Sequence, residues 1–321
     1  MTKMVGAALT VTSVTAGDPQ SFDPVRLVVE RTGCQPAAII CTPLVQGDRI
    51  QRFRVTGAFG DWIVKRVKPG SKELTLFPNM TRGEARALTI LGPLGIAPRL
   101  IDFIDDPNHG AIVVHSFHEG TAWPGAAYAA TDSPADTPSL AAVAGLLRRL
   151  HRLTVDGFRD VPVMPADILA QGDLFLLQVG RPHDLWRLRP TLLDCPVLLR
   201  RSLLHTDVGA GNLLLGPQGL RLVDWRSPAL GDAAEDLCAF LSPAFQILHG
   251  RPILTLAQRA SFLSAYDDRR VSERLQLLEP FFHWRMAAYC CMRQQQSVSQ
   301  DPEEAAGYDR ALDALMRLLA A

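Results

Sequence analysis

Four polar side chains between His205 and Asp224 are spaced to do chemistry together. An apolar run, Ser202 to Leu204, delivers His205 and, two residues on, Asp207. Asn212 follows across the Gly209-Ala210-Gly211 turn, and a short strand, Leu222-Val223, then presents Asp224 ahead of Trp225. This is the layout of a phosphoryl-transfer loop. A carboxylate at Asp207 can accept the proton of an attacking hydroxyl, while the amide oxygen of Asn212 and the carboxylate of Asp224 are hard oxygen ligands suited to Mg2+. Gly209 and Gly211 let the backbone bend tightly between base and ligand. His205 has two readings, a general base or a residue that braces the loop through hydrogen bonds, and the second is favoured because Asp207 can already serve as base. A metal-dependent hydrolase built on His205 and the two aspartates lacks a further His or carboxylate at ligand spacing near the site.

The elements that must hold these residues follow from length and patterning. A chain of 321 residues, 47% of them hydrophobic, exceeds one small core and implies two lobes. Lys+Arg and Asp+Glu both total 33, which removes any bulk electrostatic case for nucleic acid or an anionic membrane. The six cysteines form no C-x-x-C pair and read as reduced, mostly buried residues of a cytoplasmic protein. No apolar run reaches membrane-spanning length, and the patch Val5 to Val14 is too weak for a signal peptide, so residues 1–22 read as a loose tail.

Val25, Val28 and Val29 at helical spacing predict a short helix over Pro24 to Arg31. Ala38 to Leu44, Ile50 to Thr56 and Trp62 to Val67 then read as antiparallel strands with turns at Gly47-Asp48 and Gly57 to Asp61. Strand alternation puts Ile63, Lys65 and Val67 on one face and Arg66 on the other. Lys65 is either a functional ammonium or a charge on a half-exposed strand. A helix is expected from Thr81 to Leu91, where Thr81-Arg82-Gly83-Glu84 has capping-box spacing, and strands at Leu100 to Ile104 and Ala111 to Ser116. Pro124 to Pro138 reads as an inter-lobe loop. Helices are then expected from Thr137 to His151, Ala166 to Val179, within Asp184 to Leu199, Asp236 to Leu248, Leu256 to Asp267, Glu273 to Gln295 and Glu303 to Leu319. His151 reads as a helix-end residue rather than a ligand.

H-x-D-x-x-x-x-N over His205 to Asn212, then Asp224-Trp225, then Gly231-Asp232-Ala233-Ala234-Glu235-Asp236-Leu237 resembles the aminoglycoside phosphotransferase and choline kinase family of protein-kinase-like small-molecule kinases. The stretch Asp207 to Asn212 is also similar to bacterial thiamine kinase. Against the protein-kinase pattern H-R-D and D-F-G, Thr206 replaces the Arg, and Trp225 and Arg226 replace the Phe and Gly. The resemblance implies an α+β, bilobal, protein-kinase-like fold with a small β-rich N-lobe over residues 23–120 and a larger, mainly helical C-lobe over 121–321. It makes Lys65 the lysine that grips the nucleotide phosphates and Glu84 the helix carboxylate that pairs with it, which tips Glu84 away from a purely capping role. Ser116-Phe117-His118 takes the place of the hinge whose backbone meets adenine; Phe117 fits the family pattern and Ser116 departs from an acidic residue. Gln46-Gly47 keeps only part of the glycine-rich turn.

Asp207 is then the catalytic base, Asn212 and Asp224 the magnesium ligands, and His205 and Asp236 structural braces, Asp236 through backbone amides of the catalytic loop. ATP and Mg2+ are the implied cofactors, and a small-molecule alcohol the implied partner, with no nucleic acid or membrane. The C-terminal helices would wall the acceptor pocket. Phe281, Phe282, Trp284 and Tyr289, with Asp267, Asp268 and Glu279 nearby in sequence, would suit a cationic alcohol or an aminoglycoside, or are ordinary core. The alternative to a kinase is a non-catalytic, kinase-like nucleotide- or partner-binding protein.

Overall fold

The computed structural model describes residues 22–47, 49–68, 74–106, 110–123, 137–179 and 184–321. The expected N-terminal tail and the loop from Pro124 to Pro138 fall largely outside them. The described residues up to Lys72, with Pro98–Phe117, form one compact unit; those from Glu73 to Ala97, with His118–Ala321, form a second.

The first unit is a helix and a sheet. Helix α1 (Pro24–Thr32) starts at Asp23, whose carboxylate accepts the Val25 N–H at 2.8 Å, a capping bond that satisfies one of the orphan donors of the first turn. Strands β1 (Ile40–Gln46), β2 (Ile50–Gly57), β3 (Gly60–Val67), β4 (Leu100–Asp106) and β5 (Gly110–Ser116) make an antiparallel sheet ordered β1-β2-β3-β5-β4. Val55, Val64, Ile112 and Val114 pack with Val28 of α1 into the unit's core. Because neighbouring residues on a strand alternate faces, Lys65 points away from this cluster. It stands opposite Arg52 on β2 and Val113 on β5 and is only 1% exposed, so it is not a charge on a half-exposed strand.

The second unit is mainly helical. Helix α2 (Thr81–Leu91) buries Ala85, Ala87, Leu88 and Leu91. Its N-cap is Met80, with no side-chain capping bond, so the expected capping box does not form and Glu84, 2% exposed, sits in the first turn on the buried side. β6 (Thr121–Ala122), α3 (Thr137–His151), β7 (Arg159–Asp160) and α4 (Pro165–Leu176) follow. Asp184 to Leu199 holds only a 3₁₀ turn at Asp184–Leu188, because Pro190 and Pro196 lack an N–H and bias the preceding residues away from helical angles.

Strands β8 (Ser202–Leu204), β9 (Leu213–Gly216), β10 (Gly219–Leu222) and β11 (Ala229–Gly231) flank the candidate loop. β9 pairs antiparallel with β10 and with β6, and β11 lies between β7 and β8. The single helix expected over Asp236 to Leu248 is two, α5 (Ala233–Leu241) and α6 (Pro243–Leu248). Pro243 forces Ser242 into extended backbone (φ −69°, ψ 132°), and the Ser242 hydroxyl then caps α6 by accepting the Ala244 N–H at 3.3 Å. Helices α7 (Leu256–Tyr266), α8 (Arg269–Ser297) and α9 (Pro302–Leu319) complete the unit. Phe281, Phe282, Trp284 and Tyr289 on α8 are all at most 4% exposed. No helix among the described residues is long and apolar enough to cross a membrane.

Candidate active site

The candidate loop runs from the end of β8 into β9. Its first turn is fixed by one carboxylate. Asp236, fully buried in the first turn of α5, accepts the backbone N–H of His205 and that of Thr206, both at 2.8 Å. Its Oδ2 also takes an N–H from Nε2 of His151, at the end of α3, at 3.1 Å, while the other ring nitrogen of His151 lies 2.9 Å from the Tyr266 hydroxyl. His151 is thus a buried member of the brace rather than a plain helix end. These bonds hold Thr206 at φ 68°, a left-handed conformation that a β-branched residue adopts only when its surroundings over-determine it. The Thr206 hydroxyl adds a third restraint by donating to the Ser227 carbonyl at 3.0 Å.

The His205 ring is fully buried, edge-on to Trp225 with ring centroids 4.6 Å apart. Its Nε2 lies 2.9 Å from the Val223 carbonyl, which can only accept, so the ring proton is on Nε2. The lone pair is then on Nδ1, which is buried with no hydrogen-bond partner, while the Nε2 bond joins the His205 and Val223-Asp224 segments.

Asp207, Asn212 and the segment carrying Asp224 are tied together directly. Asn212 donates from Nδ2 to the Asp207 carbonyl at 2.8 Å, and its own carbonyl accepts the Val223 N–H at 2.9 Å. With the amide nitrogen so used, its side-chain oxygen is the atom left to meet a cation, and Asn212 and Asp224 together fit the oxygen-donor chemistry of Mg2+. Asp224 itself adopts φ 61°, and the Arg226 N–H closes the turn on its carbonyl at 2.8 Å.

Arg226 is the residue whose role the sequence left open. Its Nη2 donates to Asp207 Oδ2 at 2.9 Å, and its guanidinium lies 5.5 Å from the Phe77 ring centroid. Burial opposes its charge, but the nearby Asp207 and Asp224 carboxylates outweigh that and hold it above its usual, already high, pKa. His249, which follows α6, packs on the glycine turn and accepts the Gly211 N–H on Nδ1 at 3.2 Å. Burial holds the His249 ring below its ordinary pKa, which keeps that nitrogen an acceptor.

A cavity beside this loop is walled by Thr206, Phe77, Phe245 and Phe282, with Glu235 and Arg285 among its polar groups. Glu235 and Arg285 pair at 2.6 Å, leaving Glu235 Oε2 buried with no hydrogen-bond partner. Of the expected acceptor aromatics, Phe282 lines the cavity, whereas Trp284 donates to the Leu185 carbonyl at 3.0 Å. The expected carboxylates are engaged elsewhere. Asp267 ends α7 and pairs with Arg148 at 3.0 Å, Asp268 caps α8, and Glu279 pairs with Arg259 at 2.7 Å. The carboxylate at the cavity is instead Glu235, inside the G-D-x-x-E-D motif, where its neighbour Asp236 drew the attention.

The remaining expected residues divide between the units. Lys65, Ser116 and Phe117 are in the first; Glu84 and His118 are in the second. The Ser116 N–H donates to the Arg99 carbonyl at 2.9 Å and the Phe117 N–H to the Asp61 carbonyl at 2.8 Å, so both amides are committed within the sheet unit. The Phe117 ring carries the Arg54 guanidinium 3.9 Å from its centroid.

Comparison with known proteins places the fold and the family. Over 104 residues the chain is 40% identical to thiamine kinase from Escherichia coli O1:K1 / APEC, a match that covers 32% of this chain and only 37% of that enzyme's length. A choline/ethanolamine kinase family protein from Mesorhizobium loti shares the fold with a TM-score of 0.60 at 17% identity, over 88% of each chain. A spectinomycin phosphotransferase solved with ADP and spectinomycin gives 0.59 at 14% identity, over 87% of this chain and 92% of that one. At such identities these two likenesses speak for the fold alone, the mixed α+β fold of protein-kinase-like enzymes. The match that assigns the chain is to a family model over residues 42–277, a span that runs from β1 into α8 and takes in the whole candidate loop, and by it this chain belongs to the phosphotransferase enzyme family.

Proposed function

We propose that the protein transfers the γ-phosphoryl group of ATP to a hydroxyl of a small molecule. The observation that carries this reading is the direct linkage of Asp207, Asn212 and the Asp224 turn through the Asn212 amide, the Val223 N–H and Arg226. Asp207 orients the acceptor hydroxyl and takes its proton. Asn212 and Asp224 would hold Mg2+, which when bound supplies positive charge to the phosphate oxygens. Lys65 is the proposed cation for the nucleotide phosphates, Glu84 its proposed carboxylate partner, and the backbone groups of Ser116-Phe117-His118 other than the committed Ser116 and Phe117 amides the proposed adenine contact. Residues 23–120 would form the nucleotide-covering lobe and 121–321 the catalytic and acceptor lobe. Placement and electrostatics dominate such a reaction, because its transition state is loose in most analyses and calls for little covalent chemistry.

For the acceptor, the buried Glu235 oxygen and the phenylalanine walls of the cavity support a cationic alcohol of the choline or thiamine kind, and the local match to thiamine kinase points the same way. Aminoglycosides are the other members of the acceptor panel. Asp207→Asn tests the base: turnover should fall by about 10²–10⁴-fold while ATP affinity holds, and near-normal turnover would refute the role. A second reading, a nucleotide-binding protein without turnover, draws on the Arg226–Asp207 pair, which occupies the base at 2.9 Å. Stabilisation by ATP and magnesium with no phosphorylation of amino alcohols, thiamine, sugars or aminoglycosides would favour it.

A further inference from the structure

Helix α8 carries a second cluster that the phosphoryl-transfer reading does not use. Glu279 and His283 are four residues apart and share one face of the helix, which they turn toward Cys238 of α5. One ligand atom from each of the three lies within 4.8 Å of the other two. His283 is 7% exposed, and its Nε2 is buried with no hydrogen-bond partner. Glu279 Oε1 is likewise buried and unpartnered, 3.7 Å from that nitrogen. Two polar atoms abandoned side by side in an interior each carry a desolvation cost that a hydrogen bond or a metal ion normally offsets.

We propose that Cys238, Glu279 and His283 form a binding site for a borderline-soft divalent transition-metal ion of the zinc type, with one coordination position open to the adjoining cavity. The donor set is one such ions select: a thiolate, an imidazole and a carboxylate, three protein ligands in all. Hard ions such as magnesium prefer oxygen alone, which separates this site from the Asn212 and Asp224 pair. Ligand atoms around a tetrahedral ion with bonds of about 2.0–2.3 Å stand about 3.3–3.8 Å apart, so the three side chains need to close by little more than 1 Å.

Two further features fit. Arg259 holds the opposite oxygen of Glu279 at 2.7 Å, fixing the carboxylate in the manner of an outer-shell partner while leaving Oε1 turned inward. Cys238 and His283 both line the cavity that contains Thr206, which gives an ion a route in and a vacant side toward the solvent-reachable space. Binding expels the Cys238 thiol proton: one H+ leaves to solvent as the sulfur–metal bond forms. Thiolate and carboxylate offset the dication within the ligand set, and because Glu279 is already paired with Arg259 the exchange of one proton for the ion adds one positive charge to the interior.

The test uses the full chain, stripped with chelator and returned to magnesium-containing buffer so that oxygen sites are filled, then titrated with Co2+. A thiolate-to-cobalt charge-transfer band in the near ultraviolet, saturating at about one ion per chain and displaced by zinc, is expected. Cys238→Ser should abolish the band and Cys34→Ser should keep it. His283→Gln should weaken cobalt binding by about tenfold or more, which keeps the proposal falsifiable if Cys238→Ser folds poorly. No band on the wild-type chain, a band that survives Cys238→Ser, or undiminished affinity in His283→Gln would each overturn it. None of these readouts involves turnover, so failure here leaves the phosphotransferase reading untouched.

Discussion

Gly209→Ala is the substitution whose consequence the structure fixes most tightly. Gly209 has φ −103° and ψ 161°, ordinary extended backbone, so an alanine there carries no conformational penalty of its own. What it meets is a ring. A Cβ built on Gly209 would stand 1.8 Å from His249 Nε2 and 2.2 Å from its Cδ2, and one on Gly211 2.7 Å from His249 Nδ1. The imidazole, or the loop, must retreat by more than about 1 Å to restore ordinary contact, which in packed interiors costs about 1–3 kcal/mol. If the ring moves, the Gly211 N–H loses its acceptor. If the loop moves, Asp207 and Asn212 move with it, and a shift of about 1 Å in a catalytic group lowers turnover by about 10²-fold. Urea unfolding and an acceptor-dependent phosphorylation assay on Gly209→Ala should show both losses. The double variant with His249→Ala removes the obstacle and should recover stability to within about 1 kcal/mol of His249→Ala alone, because alanine also restricts the unfolded chain. A Gly209→Ala protein as stable and active as wild type, or a double variant no better than the single, would refute the assignment of His249 as the ring that shapes this turn.

Other outcomes are as specific. Asp236→Asn leaves one oxygen to serve the two backbone amides of His205 and Thr206, and urea titration should show a loss of about 2–5 kcal/mol, the range for breaking buried, charge-assisted bonds; a loss under about 0.5 kcal/mol would show that the loop does not depend on this brace. Arg226→Met and Asp207→Asn, combined in a double-mutant cycle, should be coupled by about 1–3 kcal/mol, since each removes the other's partner at 2.9 Å; strict additivity would remove the pair from the account. His283 is held at a pKa of about 4, below its ordinary 6.5. The unfolded chain therefore takes up this proton first as pH falls, so stability is intact above about pH 6.5 and is lost progressively down to about pH 4, by about 3 kcal/mol in chelator. His283→Gln should flatten that limb of the stability–pH curve, and an unchanged acid limb would contradict the assigned burial.

What the sequence disclosed and what it hid divide by distance along the chain. That Asp207, Asn212 and the Asp224 turn lie together was legible because their spacing along the chain is short. The two-unit, mixed α+β organisation was readable from the change between two-residue and three-to-four-residue periodicity. Ser242-Pro243 could have announced the break between α5 and α6, since a proline in a helical pattern with a hydroxyl before it marks a stop and a restart. The contacts that shape the site are of another kind. His249 on Gly209 and Gly211, Arg285 on Glu235 and His151 on Asp236 join segments remote in sequence, and no spacing rule prints them. For the same reason Asp267 and Asp268 looked like acceptor carboxylates by proximity in sequence, although they terminate and start helices.

The left-handed geometry of Thr206 ties the loop to a distant helix. A left-handed posture is costly for a β-branched threonine, and here it survives because Asp236 receives two amides and Ser227 receives the hydroxyl. Without Asp236 of α5 the Thr206 turn keeps only its bond to the Ser227 carbonyl, so the backbone that leads into Asp207 depends on the seating of a helix some thirty residues further along the chain.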